Sequence, residues 1–156
     1  MAMLHWKITS RDPAGTHAVL YGEINEATDF GELTLLRGRI VFDLTGIRRI
    51  NSFGVRQFLG FLDALHDQKV IVEVEKCSPA VVSQLNMLPE FSRKVSVRSV
   101  QAPVECPKCL GEREVLVEIP RGSRRPPQPI YTCEECGCVL EMSEPEDRYY
   151  AFLSEH

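Results

Sequence analysis

The stretch RIVFDLTGIRRINSFGVRQFLGFLDALH, residues 39–66, contains the clearest indication of the fold. Its first part, Arg39–Leu44, is rich in Ile, Val and Leu, which is typical of a buried strand. Its second part, Ser52–His66, repeats apolar residues at helical spacing. The repeated positions are Val55, Phe58, Leu59, Leu62 and Leu65. A strand followed directly by an amphipathic helix predicts an α/β sheet covered by helices.

The segments around this stretch extend the same pattern. Three of them are rich in strand-forming residues and predict further strands: Ala18–Tyr21, Lys69–Glu75 and Lys94–Val100. A second helix is predicted to begin at Ser78-Pro79, with serine as the N-cap and proline in the first turn, and to end at Pro89. The short segment Glu26–Leu36 has room for one or two helical turns.

Four short motifs, in order, resemble those of the STAS family, the bacterial anti-sigma factor antagonists and their relatives. They are Gly22-Glu23-Ile24, Asp43-Leu44-Thr45-Gly46, Asn51-Ser52-Phe53-Gly54 and Ser78-Pro79-Ala80-Val81. The third motif usually reads Asp-Ser-(Ser/Thr)-Gly in the family. The resemblance covers about residues 4–100 and implies a small four-stranded sheet with helices on one face. It also implies a non-enzymatic role in binding a regulatory protein.

Ser52 has two interpretations. The resemblance implies that it is the phosphoacceptor, since switching family members are phosphorylated at this position by a kinase that is also the anti-sigma factor. A helix N-terminus favours the added negative charge, because its free N–H groups and dipole are positive. Alternatively, Ser52 is a plain N-cap worth about 1 kcal/mol.

A partner surface is predicted at the start of the same helix. The side of the helix opposite its apolar face carries an aromatic ring beside small residues, a combination suited to docking. The predicted contact residues are Asn51, Ser52, Phe53, Arg56 and Gly60. In the alternative interpretation, Phe53 folds back against a neighbouring loop.

The C-terminal part contains the strongest chemical signal, two cysteine pairs of two-residue spacing separated by 23 residues. The metal ligands are predicted to be Cys106, Cys109, Cys133 and Cys136. Each pair bends the chain into a knuckle, and two knuckles supply the tetrahedral thiolate cage that Zn²⁺ prefers. Short predicted strands between and after the pairs resemble a zinc ribbon. Because all four positions are thiolates, the zinc is predicted to be structural rather than catalytic.

The remaining cysteines are predicted not to bind the metal. Cys138 has the wrong spacing to Cys133 for a knuckle, and Cys77 is predicted to be a buried small apolar residue. A ribbon this small needs such a metal, because a core alone seldom stabilises so few residues. Ser143 and Glu146 form a capping-box pattern that predicts a terminal helix.

Charge separates the two parts of the chain and argues against nucleic acid. Residues 1–103 carry 12 basic and 11 acidic residues, and residues 104–156 carry 6 and 11, a net charge of −5. Phosphate binding needs a positive surface, so the basic segment Pro120–Pro129 is interpreted as a solvated loop rather than a nucleic-acid finger. No apolar run is long enough to span a membrane. The absence of a signal-like start predicts the cytoplasm.

The sequence therefore predicts two domains, a STAS-like domain over residues 1–102 that folds alone and a zinc-ribbon domain with a terminal helix over 103–156. No phosphate loop, placeable Ser/His/Asp set or paired carboxylates indicate an active site, so no catalytic residue is predicted. Two functions remain. The first is a regulatory protein-interaction module, and the alternative is a nucleic-acid-binding zinc-ribbon protein with an α/β dimerisation or sensing domain.

Overall fold

The computed structural model describes residues 3–124 and 130–155. Within them the strands are β1 (His5–Asp12), β2 (Gly15–Ile24), β3 (Arg39–Ile50), β4 (Ile71–Glu75), β5 (Ser96–Val97), β6 (Ser99–Glu105), β7 (Glu112–Glu118) and β8 (Glu141–Met142). The α-helices are α1 (Ser52–Asp67), α2 (Pro79–Met87), α3 (Pro89–Lys94) and α4 (Glu146–Tyr149). Single 3-10 segments cover Gly31–Leu35 and Ala151–Glu155.

The larger sheet has five strands in the order β1-β2-β3-β4-β5. The strand β1 pairs antiparallel with β2, and the other neighbours are parallel. This mixed sheet with its helices confirms the predicted α/β fold class. The implied number of four strands is wrong, because β1 was not predicted. Its residues are half-buried or exposed, and an edge strand of this kind carries little apolar pattern.

The helices pack together over one face of this sheet around a group of phenylalanines. The five predicted apolar positions of α1 are all buried. The Phe58 ring lies 5.6 Å from the Phe30 ring and 5.5 Å from the Phe91 ring. Phe61 stacks on Phe30 and also contacts Phe42 of β3. The predicted helix Ser52–His66 is therefore confirmed.

Two sequence boundaries after this helix are wrong. The predicted strand Lys94–Val100 is divided among the end of α3, the two-residue β5 and the start of β6. Pro89 does not simply end a helix, since α2 already ends at Met87 and Pro89 is the first residue of α3. Proline suits this position because the first N–H groups of a helix have no intrahelical partner.

The smaller sheet is antiparallel, in the order β7-β6-β8. Its central strand β6 runs across the predicted boundary between residues 102 and 103. A parallel bridge joins Cys77 to Val100, and one continuous core includes Val100, Val117 and Phe152 together with the residues of the larger sheet. Independent folding of residues 1–102 stays a prediction, to which the shared core gives a physical obstacle.

The predicted terminal helix is present, but its predicted cap is wrong. The N-cap of α4 is Pro145, whose side chain cannot cap, while the N–H of Ser143 donates to the carbonyl of Pro103 and extends the sheet. Tyr149 and Phe152 are buried against the larger part of the molecule. Among the described residues, no helix is long and apolar enough to cross a membrane.

Candidate metal centre and partner surface

The first cysteine knuckle is the turn between β6 and β7, where Glu105 pairs with Glu112. The N–H of Cys109 donates to the Sγ of Cys106 at 3.3 Å, and the N–H of Leu110 donates to the carbonyl of Cys106 at 2.8 Å. The left-handed residue of this turn is Leu110, with φ 59°. These bonds bend the chain so that the sulfurs of Cys106 and Cys109 approach each other.

The second knuckle repeats this geometry. The N–H of Gly137 donates to the carbonyl of Cys133 at 2.8 Å, and Thr132 and Val139 bridge below the turn. Gly137 has φ 76°, a backbone conformation that glycine adopts without steric cost. The carbonyl of Cys138 accepts the N–H of Cys133 at 2.8 Å, so Cys138 supports the turn through its backbone.

The two knuckles bring the four predicted sulfurs into one cluster. Their Sγ atoms all lie within 4.8 Å of one another, and those of Cys106 and Cys136 are 3.4 Å apart. Sulfurs bonded tetrahedrally to one ion at about 2.3 Å would be about 3.8 Å apart. The cluster can therefore hold a metal ion. Cys138 lies outside it, as predicted.

Neighbouring groups shift the pKa values of two thiols in the cluster. The neighbouring sulfurs of Cys136 and then Cys106 raise the pKa of Cys109 to about 12, because the Cys109 thiol bonds to them. The backbone N–H groups of Cys136 and Glu135 lower the pKa of Cys133, because they stabilise its thiolate. The two thiols therefore differ in how easily they lose their protons, which sulfur ligands must do when they bind a metal ion.

The polar surroundings of the cluster add one further group. The Nη2 of Arg113 donates to the Sγ of Cys133 at 3.8 Å, so a cationic side chain from β7 lies beside the ligands. Contacts of this kind orient the side chains that bind the metal and stabilise the charge of their thiolates. Cys77, by contrast, is fully buried, and burial raises the pKa of its thiol. It is an inert core residue, as its sequence setting predicts.

The predicted partner surface lies at the start of α1, and its side chains are exposed. Asn51, Ser52, Arg56 and Gly60 are all open to solvent, and 62% of Phe53 is exposed. The ring of Phe53 therefore does not fold back into the protein, which removes the alternative interpretation of this residue. Its role in binding stays a prediction.

The N-cap of α1 is Asn51, not Ser52. The Oδ1 of Asn51 accepts the N–H of Gly54 at 2.6 Å, and its Nδ2 donates to the Oε2 of Glu26 at 3.0 Å. Glu26 has a lowered pKa because its own backbone and then the Asn51 amide donate to its carboxylate. Ser52 is the first helical residue. The plain-cap interpretation of Ser52 is wrong, because the adjacent asparagine takes that hydrogen bond.

The start of α1 is also held tightly to the sheet. A Cβ added to Gly54 would lie 2.2 Å from the carbonyl oxygen of Ile24, so only glycine fits where the helix meets the end of β2. A Cβ at Gly60 would meet nothing within 4 Å. Close packing at Gly54 therefore fixes the backbone that carries the exposed side chains at the start of α1.

The basic segment reaches back towards the larger sheet. The Nη2 of Arg121 lies 3.6 Å from the Oε2 of Glu73, a buried carboxylate on β4. Arg39 and Arg98 are also within ion-pair distance of Glu73. Arg121 is therefore paired with an acidic group inside the protein, and the predicted loop residues 125–129 lie outside the described residues.

Sequence reasoning missed a second cluster, on the face of the larger sheet that the helices do not cover. His17, Asp43 and Glu75 come from three adjacent strands, and their ligand atoms lie within 4.8 Å of one another. Part of the signal was available as alternation, because Asp43 lies between the core residues Phe42 and Leu44, and His17 and Glu75 each adjoin one core residue, Ala18 and Val74. The alternation alone did not identify the cluster, because the order and register of the strands do not follow from it.

Comparisons with family models, with curated proteins and with solved structures found no match for this chain.

Proposed function

We propose that this chain is a non-enzymatic regulatory module of the anti-sigma factor antagonist type, in which a structural zinc ribbon is attached to a protein-interaction domain. The observation that carries the proposal is the exposed start of α1, where Phe53 lies open to solvent beside the Asn51 cap. A large exposed aromatic ring on a fixed backbone is a typical anchor of a protein interface. The proposed setting is the bacterial cytoplasm.

The chemistry of Ser52 supports a switch at this surface. Its side chain is exposed at the first helical position, and the cap hydrogen bond is made by its neighbour, so modification of Ser52 would not remove the cap. A phosphate there would add about −1.5 to −2 charge at the positive end of the helix. The fold would survive, while the charge of the contact surface would change beside Phe53 and Arg56.

The partner is proposed to be a regulatory protein, of which a kinase-type anti-sigma factor is the family example. The acidic composition of the C-terminal part disfavours nucleic acid, because phosphate binding needs a positive surface. The proposed zinc occupies the four-sulfur cluster, where complete thiolate ligation leaves no position for a substrate. Its role is to fold the ribbon.

The experiment is a pull-down from the native cell with matched baits, followed by mass spectrometry. Phe53→Ala removes the exposed ring, and Ile71→Ala removes an equally exposed apolar side chain, 62% exposed, from β4. A partner retained by wild type and Ile71→Ala but lost by Phe53→Ala supports the proposal. Equal recovery of all partners by the two variants would contradict it.

Titration of that partner then tests the switch. Ser52→Asp should weaken binding at least tenfold, because it places a negative charge in the contact surface. Ser52→Ala should bind as wild type does, since no cap is lost. Thermal melts of both variants should match the wild type. If a salt-sensitive nucleic acid is recovered instead, the alternative zinc-ribbon function replaces the proposal.

A further inference from the structure

The uncovered face of the larger sheet brings three metal-binding side chains together. His17 is on β2, Asp43 on β3 and Glu75 on β4. Asp43 is directly opposite Glu75 in the register of β3 and β4, and it is opposite Val19, two residues from His17, in that of β2 and β3. One ligand atom from each residue lies within 4.8 Å of the others.

The three side chains differ in depth, but solvent can reach them. Asp43 is buried, at 8% exposure, whereas His17 and Glu75 are half-buried. His17 also lines an open hollow of ≈ 290 Å³ with Asp12, Thr16 and other residues of the sheet edge. The cluster therefore combines a buried carboxylate with a route for a small ion.

The imidazole of His17 is held through its Nδ1 atom, on the side away from Glu75. The β1 strand has a bulge between Ile8 and Ser10, and this places Thr9 against His17. The Thr9 hydroxyl lies 2.5 Å from Nδ1 and donates to the carbonyl oxygen of His17 at 3.2 Å. Metal-binding histidines are commonly oriented through the other ring nitrogen in this way.

The Nε2 of His17 faces the carboxylate of Glu75. The atoms Nε2 and Oε1 are 2.5 Å apart and form a hydrogen bond. A metal ion that bound both atoms would take the place of the proton between them. Two ligands at about 2.1 Å and a right angle are about 3.0 Å apart. A bound ion therefore requires the flexible Glu75 side chain to move by about half an ångström.

We propose that His17, Asp43 and Glu75 form a second metal site, independent of the cysteine cluster, for a divalent first-row ion such as Mn²⁺ or Zn²⁺. One imidazole nitrogen and two carboxylate oxygens are the mixed donor set that such ions accept. Three protein ligands leave positions for water. Because the donors come from three paired strands, the backbone geometry of the site is fixed before the ion arrives.

The ammonium group of Lys76 would compete with a metal ion for the carboxylate of Asp43. Its Nζ lies 3.7 Å from the Oδ2 of Asp43, within ion-pair range but beyond a normal hydrogen bond. The Lys76 side chain is 42% exposed, so the ammonium can leave for solvent at little cost. An arriving cation would displace it. Removal of the lysine charge should therefore tighten metal binding.

The test uses the full-length protein with its cysteine cluster already loaded with zinc. It is titrated with Mn²⁺, followed by the paramagnetic resonance of the free ion, and separately with further Zn²⁺, followed by calorimetry. Mn²⁺ is a poor match for thiolates and so reports on an oxygen and nitrogen site. We expect one additional ion per chain for at least one of the two metals.

Matched variants locate that ion. His17→Gln and Glu75→Gln should weaken binding at least tenfold, whereas His5→Gln and Glu118→Gln, which change exposed residues outside the cluster, should leave it unchanged. Lys76→Met should tighten binding several-fold. Zinc content of the cysteine cluster and circular dichroism show whether each variant is folded.

Three outcomes would overturn the proposal. The first is that neither metal binds beyond the cysteine cluster below millimolar concentration. The second is that folded His17→Gln binds as wild type does, which would place the ion elsewhere. The third is that Lys76→Met leaves the affinity unchanged, and this result does not depend on the folding of the ligand variants.

Discussion

Phe58 of α1, which packs on the larger sheet, is buried among other aromatic rings. Leu110 and Ile130, beside the cysteine knuckles, lie open to solvent. The first region is stabilised by removal of apolar surface from water. The region around the cysteine knuckles has little apolar surface to bury, so we expect its order to depend on a metal ion held by the four sulfurs. We therefore expect one chain of 156 residues to combine two different sources of stability, apolar burial and metal binding.

The largest expected effect comes from removal of a sulfur ligand. Cys106→Ser should abolish metal binding and unfold both knuckles. In structural zinc sites the bound metal contributes roughly 10–16 kcal/mol of apparent folding free energy. Elemental analysis and NMR spectra of the knuckle amides measure the two effects. Cys138→Ser is the control and should keep the metal. Knuckles that stay ordered in a strong chelator would show that the ribbon does not need the ion.

A core substitution tests the other source of stability. Phe58→Ala should lower the free energy of unfolding by about 3–5 kcal/mol, because it leaves a cavity among packed rings. Phe53→Ala removes the same side chain from an exposed position of the same helix and should change it by less than about 0.5 kcal/mol. Urea denaturation measures both. Similar losses would mean that the Phe53 ring is packed in solution.

The contact between the two regions should have an intermediate effect. Asn86 of α2 donates to the carbonyl of Tyr149 at 2.9 Å and accepts the N–H of Phe152 at 2.8 Å. Asn86→Ala leaves both backbone groups without these bonds and should cost about 1–3 kcal/mol. Ser83→Ala, on the exposed side of α2, is the control. If Asn86→Ala splits a single unfolding transition into two, the shared core couples the regions through this contact.

The smallest effect distinguishes two neighbouring residues at the start of α1. Asn51→Ala should cost about 1 kcal/mol, because its side chain caps the N–H of Gly54. Ser52→Ala should cost only a few tenths, since serine is not the cap. Thermal melts of the two variants compare them directly. A larger loss for Ser52→Ala would return the capping role to Ser52.

The parts of the fold that sequence predicted are those in which local pattern and final burial agree. The apolar face of α1 and the Ser78-Pro79 start of α2 follow from spacing and capping alone, and both are confirmed. The cysteine cluster was also predictable, because the two-residue spacing forces each pair to converge. The two ligands within each pair are near in sequence, so the sequence contains the geometry of each knuckle, whereas the meeting of the two knuckles depends on strand pairing.

The errors occur where neighbouring structure outweighs local pattern. Strand β1 has a weak pattern because it is a largely exposed edge, and it forms because β2 offers hydrogen bonds. Serine is a common N-cap residue, yet the structure uses Asn51, one residue earlier, whose side chain is an equally good hydrogen-bond acceptor. The predicted boundary at residue 102 falls inside β6, because hydrogen bonding of that strand to β7 and β8 is a long-range property.

The α/β class, the position of α1 and the two cysteine knuckles follow from sequence alone, since each depends on residues close together in the chain. Only the tertiary structure decided which residues meet across strands. His17, Asp43 and Glu75 are separated by more than twenty residues each and come together through parallel strand register. The two regions likewise share a core because residues distant in the chain, such as Cys77 and Val100 or Asn86 and Phe152, meet in space. Spacing along the chain encodes local geometry, whereas strand order and burial arise only when the whole chain packs.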